Sequence, residues 1–516
     1  MGSEFRRRLP AVELGSNRRR VGVWDAMTVI TVAVGLAVRI WILVSPAGRL
    51  DSDEAVVGLM GQWVSEGHKP PLFFWGQYYG GTIEPVLVAV GMKLHHGRML
   101  VKAVPLAMSA LSALILVRAA RQLMTTQRAR LAGALLFAWP GTTWLATKER
   151  GFYWVGMVLV CTALYAAARI VSNTSPLTRI WALYGFTVGL AWYTTAQTMF
   201  VLLPLTVWLV TTRFTIRSTA ILLATSLIGA APWFVGWARY GSRVFEQATS
   251  TSPYFDRLET VSFTLIPRAL GLRTLFVSGW TLGPVGAAIW ITAFTAAIGI
   301  AIYGCRFRRR LTPFTPALII LLICFPFLAA VPSLSIFASE PRYGLYIIPV
   351  VALGLMNCIR SPRGAAVLIV SALSVGIIST STLVTMSRAE SQPLLDLAPT
   401  DLAPVKRALA ERDITRLYAD YWLANPITFR NGPKIIASPL ESARVAWAQI
   451  EVDASKTAVW VVYANSARDR ALPKELQRRG ISVRRQVDGE IAIYVLDEYL
   501  NPAALGDFWG RHRAGK

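Results

Sequence analysis

The sequence predicts a polytopic α-helical membrane protein with a small α/β domain at its C-terminal end. Only 16% of the 516 residues are charged, whereas soluble domains carry about 25%, and the mean hydropathy is +0.46. The basic residues, which give a formal net charge of +24, stand in short clusters between long apolar runs. After Ser387 the long apolar runs end and shorter alternating segments begin.

The distribution of the basic residues indicates membrane topology rather than nucleic-acid binding. Arginines in short loops beside apolar segments mark the cytoplasmic side of a membrane and contact anionic headgroups. No DNA- or RNA-binding motif occurs. We therefore expect membrane lipids as partners and no nucleic acid. The four cysteines lie in or beside apolar runs without a Cys-X-X-Cys pair, so neither a disulfide framework nor a zinc site is predicted.

The alternation of apolar runs and arginine-rich turns predicts about eleven transmembrane helices between residues 24 and 390. The N-terminal tail, residues 1–23, contains six arginines and is placed in the cytoplasm, which leaves the C-terminus outside. The predicted spans are 24–44, 103–118, 131–146, 153–170, 180–196, 198–212, 218–237, 281–303, 313–331, 343–359 and 364–385.

Two outer loops, 45–102 and 238–280, are long, and long loops in compact proteins are usually functional. The first loop contains a short apolar segment, 82–97. We predict that this segment lies on the membrane surface, because a span here would move the four arginines between residues 118 and 130 to the outside. A transmembrane segment is the alternative.

Residues 395–516 are predicted to form a small extracytoplasmic α/β domain. The runs "TAVWVVYA" and "EIAIYVLD" are typical of strands, and "LPKELQRRG" is typical of a helix that ends at glycine. No glycine-rich nucleotide-binding motif occurs here. We therefore expect a lid or an acceptor-docking module rather than a nucleotide site.

The stretch "LDSDEAVVGLMGQW", residues 50–63, places three carboxylates at the start of a predicted amphipathic helix on the outer face. A carboxylate there can act as general base toward a hydroxyl, and a second acid can raise its pKa or orient the acceptor. We predict Asp53 and Glu54 as catalytic residues and Asp51 as a substrate contact. The alternative is helix capping, with Ser52 or Asp53 as the N-cap, or with Asp51 as no more than a cap. A divalent cation held by the three acids is a further alternative.

Three more polar clusters are predicted on the outer side. The first, "FFWGQYYGGTIEP", interleaves aromatic and polar side chains as sugar sites do, although an interfacial aromatic belt has the same composition. The other two, "ATKERGFYW" and "FASEPRYGLYIIP", carry cations suited to a lipid phosphate, whereas snorkelling or a surface ion pair is the structural alternative. The substrate-binding residues predicted from these clusters are Gln77, Tyr79, Glu84, Lys148, Glu149, Arg150, Glu340, Arg342 and Tyr343.

These segments resemble the GT-C glycosyltransferases, in particular the protein O-mannosyltransferases and the bacterial lipid A aminoarabinose transferases. The segments that carry the resemblance are "DSDEAVVGLMGQWVSEG", "KPPLFFWGQYYGGTIEPVLVAVGMKLHHG", "EPRYGLYIIP" and, near the C-terminus, "YADYWLANPITF". The resemblance implies a GT-C fold and inverting transfer of a sugar from a polyprenyl-phosphate donor. It also implies that Asp53 is the catalytic aspartate and that Glu84 is a further functional acid. In this chain, residues 69–72 precede "GQYYGGTIE", whereas in many members of the family the corresponding residues run straight into the helix. This departure leaves the identity of the sugar and of the acceptor open.

The sequence therefore predicts a glycosyltransferase of the cell membrane that acts on the extracytoplasmic side. Its donor is a polyprenyl-phosphate-linked sugar, and its acceptor is a hydroxyl of a lipid, polysaccharide or protein. The alternative is a transporter or flippase of a lipid-linked or anionic substrate, which would need charges within spans and broken helices in matching positions. No organic cofactor is predicted.

Overall fold

A computed structural model describes residues 22–94, 100–173, 178–245, 252–306, 313–332, 338–388, 400–432, 434–441 and 444–511. Most of the predicted N-terminal tail, the end of the predicted surface segment 82–97 and the start of the predicted C-terminal domain lie outside these residues. The described residues form a helical part, followed by a five-stranded sheet with its own helices.

Seventeen α-helices in the described residues, with a few short 3₁₀ and π segments between them, form the first part. They are α1 (Val23–Val44), α2 (Ser52–Ser65), α3 (Ile83–Leu94), α4 (Leu100–Ala120), α5 (Thr126–Ala138), α6 (Pro140–Leu145), α7 (Tyr153–Ser172), α8 (Thr178–Thr194), α9 (Met199–Thr212), α10 (Ile216–Gly229), α11 (Ala231–Tyr240), α12 (Tyr254–Thr260), α13 (Ile266–Ala269), α14 (Pro284–Arg306), α15 (Thr315–Ala329), α16 (Ile348–Cys358) and α17 (Pro362–Arg388).

Four of these helices, α1, α4, α7 and α17, are long and apolar enough to cross a membrane. A fifth span results within the described residues if α10 and the helical segment that follows it, which meet at a bend of 54°, are counted together. The chain is therefore a helical membrane protein, whereas the number of eleven spans stays a prediction. The helix α3 has 12 residues, or about 18 Å, which is short for about 30 Å of hydrocarbon.

Glycines allow helices of the bundle to pack backbone against backbone. A Cβ atom at Gly185 of α8 would lie 2.5 Å from the carbonyl oxygen of Leu222 in α10, and one at Gly189 would overlap the carbonyl of Ser226. Within a membrane, helices associate largely through such close van der Waals contact, since lipid tails are as apolar as the helices. The pair α8 and α10 therefore depends on these two glycines.

The C-terminal part contains α18 (Leu402–Ala410), β1 (Arg416–Ala419), α19 (Tyr421–Asn431), β2 (Ile436–Pro439), α20 (Ala446–Ser455), β3 (Val459–Tyr463), α21 (Ala467–Arg478), β4 (Val483–Asp488), β5 (Ile491–Leu496) and α22 (Gly506–Arg511). The strand order is β2-β1-β3-β5-β4. The strands β2, β1 and β3 are parallel, while β5 is antiparallel to both β3 and β4. The central β3 is almost fully buried, which explains its run of apolar residues.

Candidate active site

The candidate site is built around the first turn of α2. Asp51 caps this helix: its carboxylate accepts a hydrogen bond from the backbone N–H of Glu54 (3.0 Å), and the Glu54 carboxylate accepts one from the N–H of Asp51 (3.2 Å). This reciprocal capping box satisfies two N–H groups that the helix itself leaves without partners. Successive helical residues point about 100° apart, so the neighbouring Asp53 side chain leaves the helix in another direction.

Asp53 is the acid of this turn that faces the cavity. Its Oδ1 accepts a hydrogen bond from the Tyr421 hydroxyl (2.8 Å), and its Oδ2 lies 3.4 Å from Nη1 of Arg342 and 3.8 Å from Nη1 of Arg150. Burial alone would raise the pKa of Asp53, but Arg444, Arg150, Arg342 and the Tyr421 hydroxyl together outweigh it. The pKa of this carboxyl is therefore well below its ordinary value, and the group stays ionised.

Glu54 and Asp51 point away from the cavity, into a buried set of ion pairs. The Glu54 carboxylate accepts hydrogen bonds from the Lys102 ammonium and from the backbone N–H of Glu149 (3.1 Å), and it lies 3.5 Å from Nζ of Lys148. The same Lys148 Nζ lies 3.4 Å from Oδ2 of Asp51. Both carboxylates are buried, so their charges are balanced by the two ammonium groups and, for Asp51, by the Arg150 guanidinium rather than by water.

Arg150 and Arg342 are held in place by shared carboxylates. Nη1 of Arg150 donates to Oδ2 of Asp51 (2.7 Å), and its Nε donates to Oε1 of Glu340 (3.0 Å). The other oxygen of Glu340 lies 3.1 Å from Nε of Arg342. The Arg342 guanidinium also lies 5.0 Å from the ring centre of Tyr343. Glu340 therefore bridges the two guanidinium groups, which would otherwise repel each other.

Glu149 and Glu84 form a separate pair of buried carboxyls. Burial, with the neighbouring Glu84 as the next cause, raises the pKa of Glu149 well above its ordinary value, and burial also raises the pKa of Glu84. Oε1 of Glu149 accepts from the N–H of Gly151 (2.8 Å), and Oε1 of Glu84 accepts from the N–H of Val155 (2.7 Å). We interpret the pair as two carboxyls that share a proton and hold the segment between α6 and α7.

The cavity in front of Asp53 has a volume of about 400 Å³. Its polar end contains Asp53, Gln77, Tyr79, Arg150, Arg342 and Arg444. The rest of its wall is mainly aromatic and includes Phe152, Tyr153, Trp192, Tyr193, Phe200, Trp233 and Phe245. A charged end joined to an apolar aromatic wall suits a molecule that has both an anionic group and a hydrocarbon chain.

The structure distributes the twelve predicted site residues over three places. Those that line the cavity are Asp53, Gln77, Tyr79, Arg150, Arg342 and Tyr343. Four others belong to the ion pairs behind the cavity wall, namely Asp51, Glu54, Lys148 and Glu340. Glu84 and Glu149 form the carboxyl pair described above.

Sequence reasoning missed three residues that contact this site: Lys102, Tyr421 and Arg444. Lys102 is the last residue of the predicted outer loop 45–102, and its position at the end of an acid-rich loop was an available signal. Tyr421 lies in "YADYWLANPITF", which carries part of the family resemblance. Arg444 lies in no motif, so only the structure reveals it.

The three acids at the start of α2 are arranged around basic side chains. Asp51, Asp53 and Glu54 each face arginine or lysine side chains. Within the described ranges, no group of three or more His, Cys, Asp or Glu residues is arranged to hold a metal ion.

The fold and this site together define a helical membrane protein with an acid–arginine centre at one cavity. No protein-family model and no curated protein matches the chain. The structure is similar to that of ArnT from Cupriavidus metallidurans in the apo state, with a TM-score of 0.58 and 15% identity over 94% of this chain and 99% of that chain. It is also similar to ArnT bound to undecaprenyl phosphate, with a TM-score of 0.57 and 15% identity over 91% and 98%. The predicted resemblance to lipid A aminoarabinose transferases is thus confirmed for the fold.

Proposed function

We propose that this protein is an integral-membrane, inverting glycosyltransferase that moves a sugar from a polyprenyl-phosphate donor to an acceptor hydroxyl. The observation that carries the proposal is the position of the Asp53 carboxylate, which lines the cavity 3.4 Å from the Arg342 guanidinium. Such a transfer requires a base for the acceptor proton and a cation for the departing phosphate. The similar fold of ArnT, whose structure holds undecaprenyl phosphate, supports the donor class.

In the proposed reaction, the acceptor oxygen forms a bond to the anomeric carbon while the bond from that carbon to the phosphate oxygen breaks. Asp53 takes the proton of the acceptor hydroxyl, and the lipid phosphate leaves with the bonding electrons. Attack from the face opposite the phosphate inverts the configuration. Since the pKa of Asp53 is low, proton transfer is favourable only once the new bond has made the hydroxyl strongly acidic.

The aromatic wall gives the isoprenoid chain of the donor an apolar surface. Trp192, Phe200 and Trp233 line the cavity together with Phe245, which is 58% exposed. A hydrocarbon chain against these rings would place the phosphate at the arginine end. The acceptor hydroxyl then belongs to a lipid, polysaccharide or protein that reaches Asp53 from the extracytoplasmic side, where the C-terminal domain also lies.

Transport of a lipid-linked or anionic substrate has less support. Arg39 is a charge within the membrane helix α1, as a transport pathway would need, but its guanidinium donates to the carbonyl oxygens of Gly35 (2.9 Å) and Phe137 (2.5 Å). It also lies 3.8 Å from the centre of the Phe137 ring. These contacts give Arg39 a structural role in joining α1 to α5.

The test is sugar transfer by the purified protein in proteoliposomes, with a panel of undecaprenyl-phosphate-linked sugars and released undecaprenyl phosphate as the readout. We expect Asp53→Asn to lower the rate by about 10²-fold or more, the usual contribution of a general base. Asp256→Asn, which changes an exposed acid in the other outer loop, is the matched control. A normal rate in Asp53→Asn would show that the base assignment is wrong, and flipping of lipid without sugar transfer would favour the transport alternative.

A further inference from the structure

The C-terminal domain contacts the helix that carries Asp53. Ser52, the first residue of α2, donates from its hydroxyl to the carbonyl oxygen of Tyr421 (2.7 Å), and the same hydroxyl accepts from Nδ2 of Asn425 (2.7 Å). Ser52 and Asn425 are both buried. Ser52 thus depends on the C-terminal domain for its hydrogen bonds, and Asn425 depends on α2, since a buried polar group without a hydrogen-bond partner is costly.

An apolar contact continues this interface nearly two turns further along α2. A Cβ atom at Gly58 would lie 2.5 Å from Cε2 of Phe429, so only glycine lets the ring pack this closely against the helix. The contact therefore fixes the position of α19 relative to α2. Residues of the C-terminal domain near α19 are thereby held at a fixed distance from Asp53.

Arg444, which precedes α20, reaches the cavity from this domain. Its Nη1 lies 3.5 Å from Oδ1 of Asp53, and its guanidinium lies 5.5 Å from the ring centre of Tyr421. Its aliphatic stem packs on Gly76, where a Cβ atom would lie 2.5 Å from Cγ of Arg444 and 2.9 Å from its Cα. The contact with Gly76, whose φ is +75°, fixes the stem while the guanidinium lines the cavity beside Arg342.

Arg444 also changes the charge balance of the site. The ion pairs join the carboxylates of Asp51, Asp53, Glu54 and Glu340 to the cations of Lys102, Lys148, Arg150, Arg342 and Arg444. Four carboxylates thus face five cations, and without Arg444 the numbers are equal. Arg444 is the most exposed of the five cations, with 36% of its side chain accessible compared with 18% for Arg342.

We infer that Arg444 binds the phosphate of the lipid donor, so that the C-terminal domain supplies part of the active site. The inference rests on the proposed glycosyl transfer and adds a residue to its phosphate site. A polyprenyl-phosphate sugar carries one negative charge on its phosphodiester, and the leaving monoester gains most of a second charge near neutral pH. An additional guanidinium at the cavity stabilises this developing charge, and its planar fork suits phosphate oxygens.

The experiment measures binding of undecaprenyl phosphate to the full-length protein in detergent by native mass spectrometry, with undecaprenol as the phosphate-free comparison. We expect Arg444→Gln to raise the Kd for undecaprenyl phosphate about tenfold or more, the usual effect of losing a hydrogen bond to a charged group. Binding of undecaprenol should be unchanged. Arg444→Lys, which keeps the charge but loses the fork, should give an intermediate Kd.

Arg416→Gln is the matched control, because Arg416 lies in the same domain, is 25% exposed and pairs with one carboxylate, Glu451. The assay is valid if the wild type prefers undecaprenyl phosphate to undecaprenol and Arg342→Gln weakens that preference. The Arg444 assignment is then wrong if Arg444→Gln binds undecaprenyl phosphate as tightly as Arg416→Gln does. If the wild type shows no preference for the phosphate, the proposed donor class fails as well. Arg444→Gln leaves Asp53 paired with two arginines and should fold. If it does not fold, the Kd of Arg444→Lys for undecaprenyl phosphate is the test, and a Kd equal to that of the wild type would contradict the assignment.

Discussion

Glu54→Gln tests whether the buried acid of α2 acts through the structure rather than in the chemistry. The substitution keeps the shape of the side chain but removes its charge. Glu54 is fully buried and accepts from the Lys102 ammonium and from two backbone N–H groups. In the variant, the amide oxygen can still accept one hydrogen bond, but its NH₂ group now faces donors that the carboxylate accepted from. The Lys102 ammonium keeps the carbonyl oxygen of Thr147, 3.0 Å away, but it loses its negatively charged partner.

Loss of one partner from a buried ion pair costs about 3–5 kcal/mol, because the other charge stays buried without compensation. Since the entropy of unfolding scales with chain length, a change of this size should lower the apparent Tm in detergent by roughly 3–5 °C. The double variant Glu54→Gln/Lys102→Met removes both charges and should recover most of this loss, since the Lys102 ammonium is then no longer buried without a counter-charge.

Thermal unfolding of purified wild type and variants provides the measurement. The matched control is Asp25→Asn, which breaks the exposed pair of Asp25 with Arg130, whose side chains are 37% and 45% accessible. An exposed pair contributes at most about 1 kcal/mol, so the control should unfold close to the wild type. If Glu54→Gln is as stable as this control, or if the double variant is no more stable than Glu54→Gln, the reasoning is refuted. Sugar transfer by a stable double variant would assign Glu54 a structural role.

Three further changes test other parts of the site. Gly58→Ala should destabilise the interface with the C-terminal domain by about 1–3 kcal/mol through overlap with Phe429, seen as faster proteolysis of that domain. In the wild type, the raised pKa of Glu149 means that the folded state keeps a proton that the unfolded chain releases near pH 4.3, so the free energy of unfolding falls as the pH rises above that value. Glu149→Gln should abolish this pH dependence. Tyr421→Phe removes a hydrogen bond that lowers the pKa of Asp53, so the acid limb of the pH–rate profile should move to higher pH.

Local features of the sequence predicted local features of the structure. The carboxylates at residues 51–54 were placed at a helix start, and the helix begins there because Asp51 is a strong N-cap and Glu54 completes the capping box. The segments "TAVWVVYA" and "EIAIYVLD" were predicted as strands and contain β3 and β5. These properties depend on neighbours along the chain, which the sequence shows directly.

Breaks within apolar runs were harder to predict. The predicted span 131–146 consists of two helices, α5 and α6, which meet at Trp139. Trp139 has extended backbone dihedrals and precedes Pro140, and a residue before proline avoids the helical conformation. Hydropathy reports the apolar length of a segment but not such a break. The predicted span 218–237 likewise covers α10 and most of α11, which are separated by a bend.

The assembly of the site depends on contacts far apart in the sequence. Tyr421 and Arg444 lie 368 and 391 residues after Asp53, yet both reach its Oδ1. The role of Glu54 was also beyond local reasoning, since it depends on where Lys102 lies once α4 has packed. Sequence analysis could therefore identify the acids but could not assign Asp53 and Glu54 their different surroundings.

The charge arrangement explains why Asp53 is the one acid of this network suited to act as a base. Three guanidinium groups close to one cavity would repel each other, and the carboxylates of Asp51 and Glu340 reduce this repulsion from behind the wall. Asp53 is the carboxylate of the network that lines the cavity, but the same arginines lower its pKa. A donor phosphate that draws Arg342 and Arg444 toward itself would weaken their effect on Asp53 and raise its pKa. Donor binding would thus make Asp53 a stronger base at the moment when an acceptor hydroxyl has to be deprotonated.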